Sequence, residues 1–330
     1  MKHLATPAAL ILAALAYFVP SVAGGAPVVY AACTTIAILA VMAYGADLIL
    51  SYLGEVSLGH TIFWAAGGYA ASMLAVNADW NGWQTAAAAI VASLVLAAVL
   101  GLVTLRTREF VFSLVTYAAA VVAMEVAFNW SFLGGSDGIV GVPPLELALF
   151  GHGITGSGNA DLWPIAWALL MLTLLFIQRF RHSRLGTSAL MVQMNPDLAQ
   201  ALGVDARAVR FLVFVTSAPI SALAGWLYAY QRAYVGPDMF ESYFLVLMLT
   251  AIVVVGRRLL LGPLIGTALI IAQQTFFSIG GDGDKIILGT VLAAILLLWP
   301  RGLIGLWDVL RRPRASARPP TAPAAPAARR

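Results

Sequence analysis

Three acids, an imidazole and a serine stand inside or beside apolar stretches of this chain: Asp47, Glu55, Ser57, His60 and Glu125. An ionised side chain at membrane depth costs about 2.5–3.5 kcal/mol on insertion scales, so such groups face a protein interior or a wet cavity. Glu55, Ser57 and His60 fall within SYLGEVSLGHTIFWAAGGYAAS, residues 51–72, together with Gly54, Gly59, Gly67 and Gly68. Glycines and alanines at that density let helices approach closely or let the backbone break. Broken backbone at membrane depth survives only where protein buries it or a cavity runs beside it. The stretch therefore reads as a cavity edge at a helix start, not as a catalytic cluster. Asp47 lies in the apolar segment before it, and Glu125 in a later one with Asn129 one turn on. Two acids at different depths fit either a polar pathway or two separate helix–helix hydrogen bonds.

Enzyme chemistry finds little support. The two lysines, Lys2 and Lys285, follow Met and Asp, so there is no G-x-x-x-x-G-K-S/T phosphate loop. There is no H-E-x-x-H, and His3, His60, His152 and His182 are scattered, which argues against a zinc site. The one G-x-S-x-G match, GGSDG at 134–138, falls in a Gly-rich polar stretch and not between a strand and a helix, so it makes no nucleophile elbow. The lone Cys33 makes neither a disulfide framework nor a cysteine metal site. No catalytic residue, metal or cofactor is expected, and nothing points to nucleic acid.

The elements that hold these residues follow from composition. Of 330 residues, 61% are hydrophobic and 10% charged, against about a quarter charged in soluble domains. Apolar segments of roughly membrane-spanning length recur at 7–23, 28–50, 58–77, 84–105, 110–130, 162–180, 209–231, 239–256, 261–279 and 285–300. The fold class is all-α, a polytopic membrane protein of about ten transmembrane helices. The first segment allows two readings, a leader cleaved near SVAGGA or a first crossing. If the N-terminus is cytoplasmic, all of the 19 lysines and arginines except Arg232 and Lys285 fall inside. The positive-inside bias then places both termini in the cytoplasm.

Three polar stretches remain. Residues 131–161 hold no Lys or Arg, are rich in Gly and Pro, and read as a folded external loop or partly embedded hairpin. Residues 181–208 face the cytoplasm; Asn195-Pro196-Asp197 signals a helix start and Gly203 a stop. A short amphipathic helix there is either a grip for a soluble partner or an ordinary interfacial connector. Residues 311–330 are low-complexity Pro/Ala/Arg and are expected to form a disordered cytoplasmic tail. Pro219 is expected to kink the seventh segment, and Gly262-Pro263 with Gly266 punctuates the ninth. Two interrupted segments are a pointer to a transport site.

These residues resemble a known family, the M-type permease subunits of branched-chain amino acid ABC importers. YLGEVSLGHTIFWAAGGYAA is similar to the pattern G-x-x-G-Q-I/V-S-L-G-H-x-x-F, with Glu55 where Gln is usual. SRLGTSALMVQMNPDLAQALGVDARAVRFLVFVTSAPISALAGWLYA resembles the family's cytoplasmic loop and next helix, with Thr187, Gln193 and Pro196 replacing Arg, Arg and Glu. YVGPDMFESYFLVLMLTAIVVVGRRLLLGPLIGT resembles the segment after it, with Val255 and Arg258 where glycine is usual. The likeness covers roughly residues 35–305.

The resemblance implies a permease domain over residues 1–310 in the bacterial inner membrane, moving branched-chain or hydrophobic amino acids or a related small ligand such as urea or an amide. It implies a second, H-type permease, two cytoplasmic ABC ATPases docking on the loop at Asn195, Asp197, Ala199 and Gly203, and a periplasmic substrate-binding protein at the outer loops. Asp47, Glu55, Ser57, His60 and Glu125 are then the candidates for the translocation pathway. The competing class is an ion-coupled secondary transporter in which Asp47 or Glu125 carries a proton; a membrane enzyme is a third.

Overall fold

The computed structural model describes residues 10–104, 109–149, 152–276 and scattered positions between 283 and 294. The tenth apolar segment lies largely outside the described residues, and residues 311–330 wholly outside them. In chain order the helices are α1 (Leu10–Val22), α2 (Pro27–Tyr52), α3 (Thr61–Ala78), α4 (Gly82–Thr104), α5 (Glu109–Asn129), α6 (Asn159–Arg181), α7 (Arg184–Met194), α8 (Pro196–Ala201), α9 (Ala206–Arg232), α10 (Ser242–Val255) and α11 (Gly262–Phe276). Five of them, α2, α4, α5, α6 and α9, are long and apolar enough to cross a membrane, and α1 and α10 are shorter apolar helices. The chain is a polytopic helical membrane protein.

Local chemistry sets the boundaries. Pro27 starts α2, where its missing N–H is no loss. The helix stops at Tyr52, and Gly54 at φ +74° turns the chain into the irregular run before α3. Asp205 caps α9 by accepting from the N–H groups of Arg207 and Ala208, and α9 then runs through Pro219 to Arg232.

Helix α9 is the hub, packed on α2, α3 and α4. Its crossing with α3 depends on two glycines: a methyl group at Gly67 would strike the Ala222 carbonyl, and one at Gly225 the Trp64 carbonyl. Small residues allow the backbones to approach this closely. Around the crossing, Tyr44, Phe63, Trp64, Leu227 and Met239 are fully buried. By contrast α4 and α5 expose Val91, Val95, Val99, Leu102, Leu114 and Val122, an apolar wall suited to lipid. Helix α1 lies on α6, where Trp163 and Trp167 donate their indole N–H groups to the carbonyls of Tyr17 and Ala13 at 3.0 and 3.1 Å.

The bundle has two unlike ends. One carries residues 131–149 and 152–158, where strands β2 (Leu145–Leu149) and β3 (His152–Gly156) form an antiparallel hairpin. Beside it β1 (Ile139–Val140) pairs with β4 (Tyr234–Val235), which follows α9. The other end carries the α2–α3 break, α7, α8, the start of α9 and the α10–α11 turn with Arg257 and Arg258. The stretch 181–208 holds two helices where the sequence announced one. Ser183 accepts from the Gly186 N–H at 3.0 Å and starts α7, and the short helix expected after Asn195 follows as α8.

Candidate functional site

At the arginine-rich end, polar groups from four separate stretches meet. Asp47 is 3% exposed in α2 and accepts from Ser51 Oγ at 2.6 Å. Ser51 Oγ in turn accepts from the backbone N–H of Arg258 at 3.1 Å, and the Ser51 carbonyl accepts from Arg258 Nε at 3.0 Å. Arg258 Nη2 reaches on to Gln193 Oε1 of α7. Alongside, Glu55 and Arg210 form an ion pair at 2.5 Å with both side chains 11% exposed. A cavity of about 410 Å³ opens between them, lined by Gly54, Glu55, Gln193, Arg207, Arg210 and Arg257.

Beside this cavity runs the α7–α8 connection. The Asn195 side chain accepts from the N–H groups of Asp197 and Leu198 at 3.1 and 3.0 Å, Ala199 is buried, and Gly203 closes the turn at φ +84°. Met191, Met194, Leu198 and Leu202 recur at near-helical spacing and are exposed, Met194 to 84%. Four large apolar groups exposed within one short stretch are the kind of surface that protein partners cover.

The hairpin end holds the larger cavity, about 590 Å³. Its floor is built from neutral amides at helix ends: Gln231 Nε2 donates to Thr35 Oγ1 at 2.9 Å and Asn159 Oδ1 at 3.0 Å, and Tyr243 OH donates to Gln274 Oε1 at 3.1 Å. Arg232 crosses its wall, paired with Asp238 at 2.8 Å and lying over the Tyr228 ring at 5.4 Å. Among the described residues Gln231 Oε1, Gln274 Nε2 and Asp238 Oδ1 are buried without a protein partner. A carboxamide donor, acceptors of both neutral and anionic kind, and the aromatic faces of Tyr228 and Phe244 surround one space. That set suits a small solute with both polar and apolar parts.

The five pathway candidates do not share one cavity in this chain. Glu55 borders the arginine-rich cavity, as a cavity-edge residue should, while Asp47 is enclosed with Ser51. Ser57 is buried, and His60, fully buried, stands edge-on to Phe63 at 5.1 Å beside Gly45 and Ser217. Glu125 is exposed, bonded by Asn129 Nδ2 to its carbonyl at 2.9 Å, and borders a cavity of about 380 Å³ with Asp238 and Glu241 at the hairpin end. The amide floor at Thr35, Asn159, Gln231 and Gln274 escaped the sequence reading. Its members are uncharged and widely separated, and the only cue was a glutamine beside Arg232 at a helix end.

An apolar bundle with an enclosed polar joint at one end and a polar basin at the other has the organisation of a multi-pass membrane permease. The family described as branched-chain amino acid transport system / permease component matches residues 28–298, and the chain belongs to it. High-affinity branched-chain amino acid transport system permease protein LivM of Salmonella typhimurium is 22% identical over 284 residues, 80% of this chain and 67% of that protein. LivM of Escherichia coli K12 is also 22% identical, over 286 residues with the same shares. The E. coli K12 permease protein LivH is 24% identical over 289 residues, 82% of this chain and 92% of LivH. No solved structure matches the chain significantly. The chain is a permease subunit of an ABC importer, and its relatives are transporter components rather than enzymes.

Proposed function

We propose that this is the M-type permease subunit of an importer that carries branched-chain or other hydrophobic amino acids, or a related small ligand such as urea or an amide, across the bacterial inner membrane. The chain would cross ten times as the permease domain of residues 1–310, with both termini and the 311–330 tail in the cytoplasm. It would assemble with an H-type permease, two ABC ATPases and a periplasmic substrate-binding protein. The observation that carries this reading is the family match over residues 28–298.

The two ends support a division of labour. The arginine-rich end, rich in the cations that the positive-inside rule keeps in the cytoplasm, would receive the ATPases on α8 and the exposed apolar groups around it. The hairpin end would receive the binding protein, and its basin the released ligand. There Arg232 and the Gln274 amide suit a carboxylate, Asp238 and Gln231 Oε1 an ammonium, and Tyr228 and Phe244 an aliphatic side chain. An ion-coupled transporter is less well supported, because Asp47 is enclosed by its own helix's Ser51 and Glu125 is exposed.

Affinity purification of the protein from its native membranes tests the reading. A phosphate-loop ATPase and a second permease should co-purify. Recovery of the chain alone, in a form that transports without ATP, would overturn it.

A further inference from the structure

Arg258 holds a backbone conformation, φ +63°, that residues with a Cβ rarely adopt. A strained position persists where the surrounding contacts demand it, so the contacts show what the strain secures. Here they run in two directions. Toward the membrane, the Arg258 N–H and Nε bond Ser51 Oγ and the Ser51 carbonyl, and Ser51 Oγ bonds Asp47. Away from it, Arg258 Nη2 bonds Gln193, two residues before the Asn195 cap of α8. Three of the four links are directional bonds of 2.6–3.1 Å.

The inner half of this chain has an ordinary explanation. Ser51 is in the last turn of α2, whose carbonyls face outward unpaired, and an arginine there satisfies one and complements the helix dipole. The outer half does not serve that purpose. Gln193 bonds no α2 carbonyl; from the last turn of α7, beside Gly54, it ties the cap to the α7–α8 connection. A displacement of that loop must therefore either carry Arg258 and the end of α2 with it or break the bond.

We infer that Arg258 is a positioning residue that, through Gln193, links movement of the α7–α8 loop to the cytoplasmic end of α2 and its buried Asp47. The inference rests on the importer reading above, since it assigns the loop to the ATPases. It makes Gln193 the discriminating position, because changing it leaves the Arg258–Ser51 cap in place.

The test uses the complete transporter in proteoliposomes and reads solute moved per ATP hydrolysed, with thermal melting of the same complex as a control. Gln193→Ala should lower that ratio by at least ~5-fold, the lower range of measured coupling between sites, while the melting temperature stays at the wild-type value. Gln193→Glu restores an acceptor for the guanidinium, in a cavity rich in arginine, and should couple like wild type. An unchanged ratio in Gln193→Ala would overturn the inference, and so would Gln193→Glu failing alongside Gln193→Ala. Failure of the wild-type complex to transport with ATP would instead count against the importer reading itself.

Discussion

The two ends of this bundle use polar groups in opposite ways. At the arginine-rich end the charges are tied together: Glu55 to Arg210, Asp47 to Ser51, and Arg258 to both Ser51 and Gln193. At the hairpin end the cavity is larger, and Gln231 Oε1, Gln274 Nε2 and Asp238 Oδ1 are buried around it without a protein partner. A buried polar atom left unpaired costs about 1–3 kcal/mol, and three such atoms lie around this one cavity. The first end is organised as a joint and the second as a receptacle. On the importer reading proposed above, the first end would meet the ATPases and the second the cargo.

The largest effect is expected at the joint. Glu55→Ala leaves the enclosed Arg210 guanidinium without its carboxylate and should cost about 3 kcal/mol of stability, read as a lowered melting temperature of the purified protein. An unchanged melting temperature would mean that the pair is not part of the joint. At the receptacle the effect should fall on affinity. Gln274→Glu keeps an acceptor for Tyr243 but replaces the free donor, so the ligand concentration for half-maximal uptake should rise about tenfold, the worth of one hydrogen bond. Saturating transport and melting should stay near wild type; a loss of folded protein instead would assign Gln274 to packing.

Smaller effects separate the importer from an ion-coupled carrier. Asp47→Asn keeps an acceptor for Ser51 and should cost only about 1 kcal/mol, with ATP-driven uptake retained. Abolished uptake in a stable Asp47→Asn protein would favour proton coupling. Glu125→Gln should be almost silent in uptake, within about 0.5 kcal/mol, because Glu125 is exposed and bonded within its own helix. A strong defect there would move the receptacle toward α5.

What the sequence made legible was whatever has a period or a punctuation mark. Nine of the apolar segments fall on helices, five of them long and apolar enough to cross a membrane, because such a crossing needs a long apolar run that little else can imitate. The α8 start at Asn195 and its stop at Gly203 were readable because capping is local chemistry. The glycines at 67 and 68 announced a close helix approach, although not that α9 would be the partner. Long-range pairing was not legible. Nothing near Glu55 names Arg210, and nothing near Gln193 names Arg258, since these contacts exist only once α2, α7, α9 and the α10–α11 turn are brought together. The departures from the family pattern at Glu55, Gln193 and Arg258 looked independent along the chain and lie together in space. Charge drew attention to Glu125, while the neutral amides that line the larger cavity passed unnoticed.

The most direct test of the central account is leucine uptake into proteoliposomes, measured for the chain alone and for the chain with its co-purified permease, ATPases and binding protein. The account predicts uptake by the full assembly that requires ATP inside the assay compartment facing the arginine-rich end, and none by the chain alone. Leucine uptake by the chain alone, driven by an ion gradient and indifferent to ATP, would contradict it.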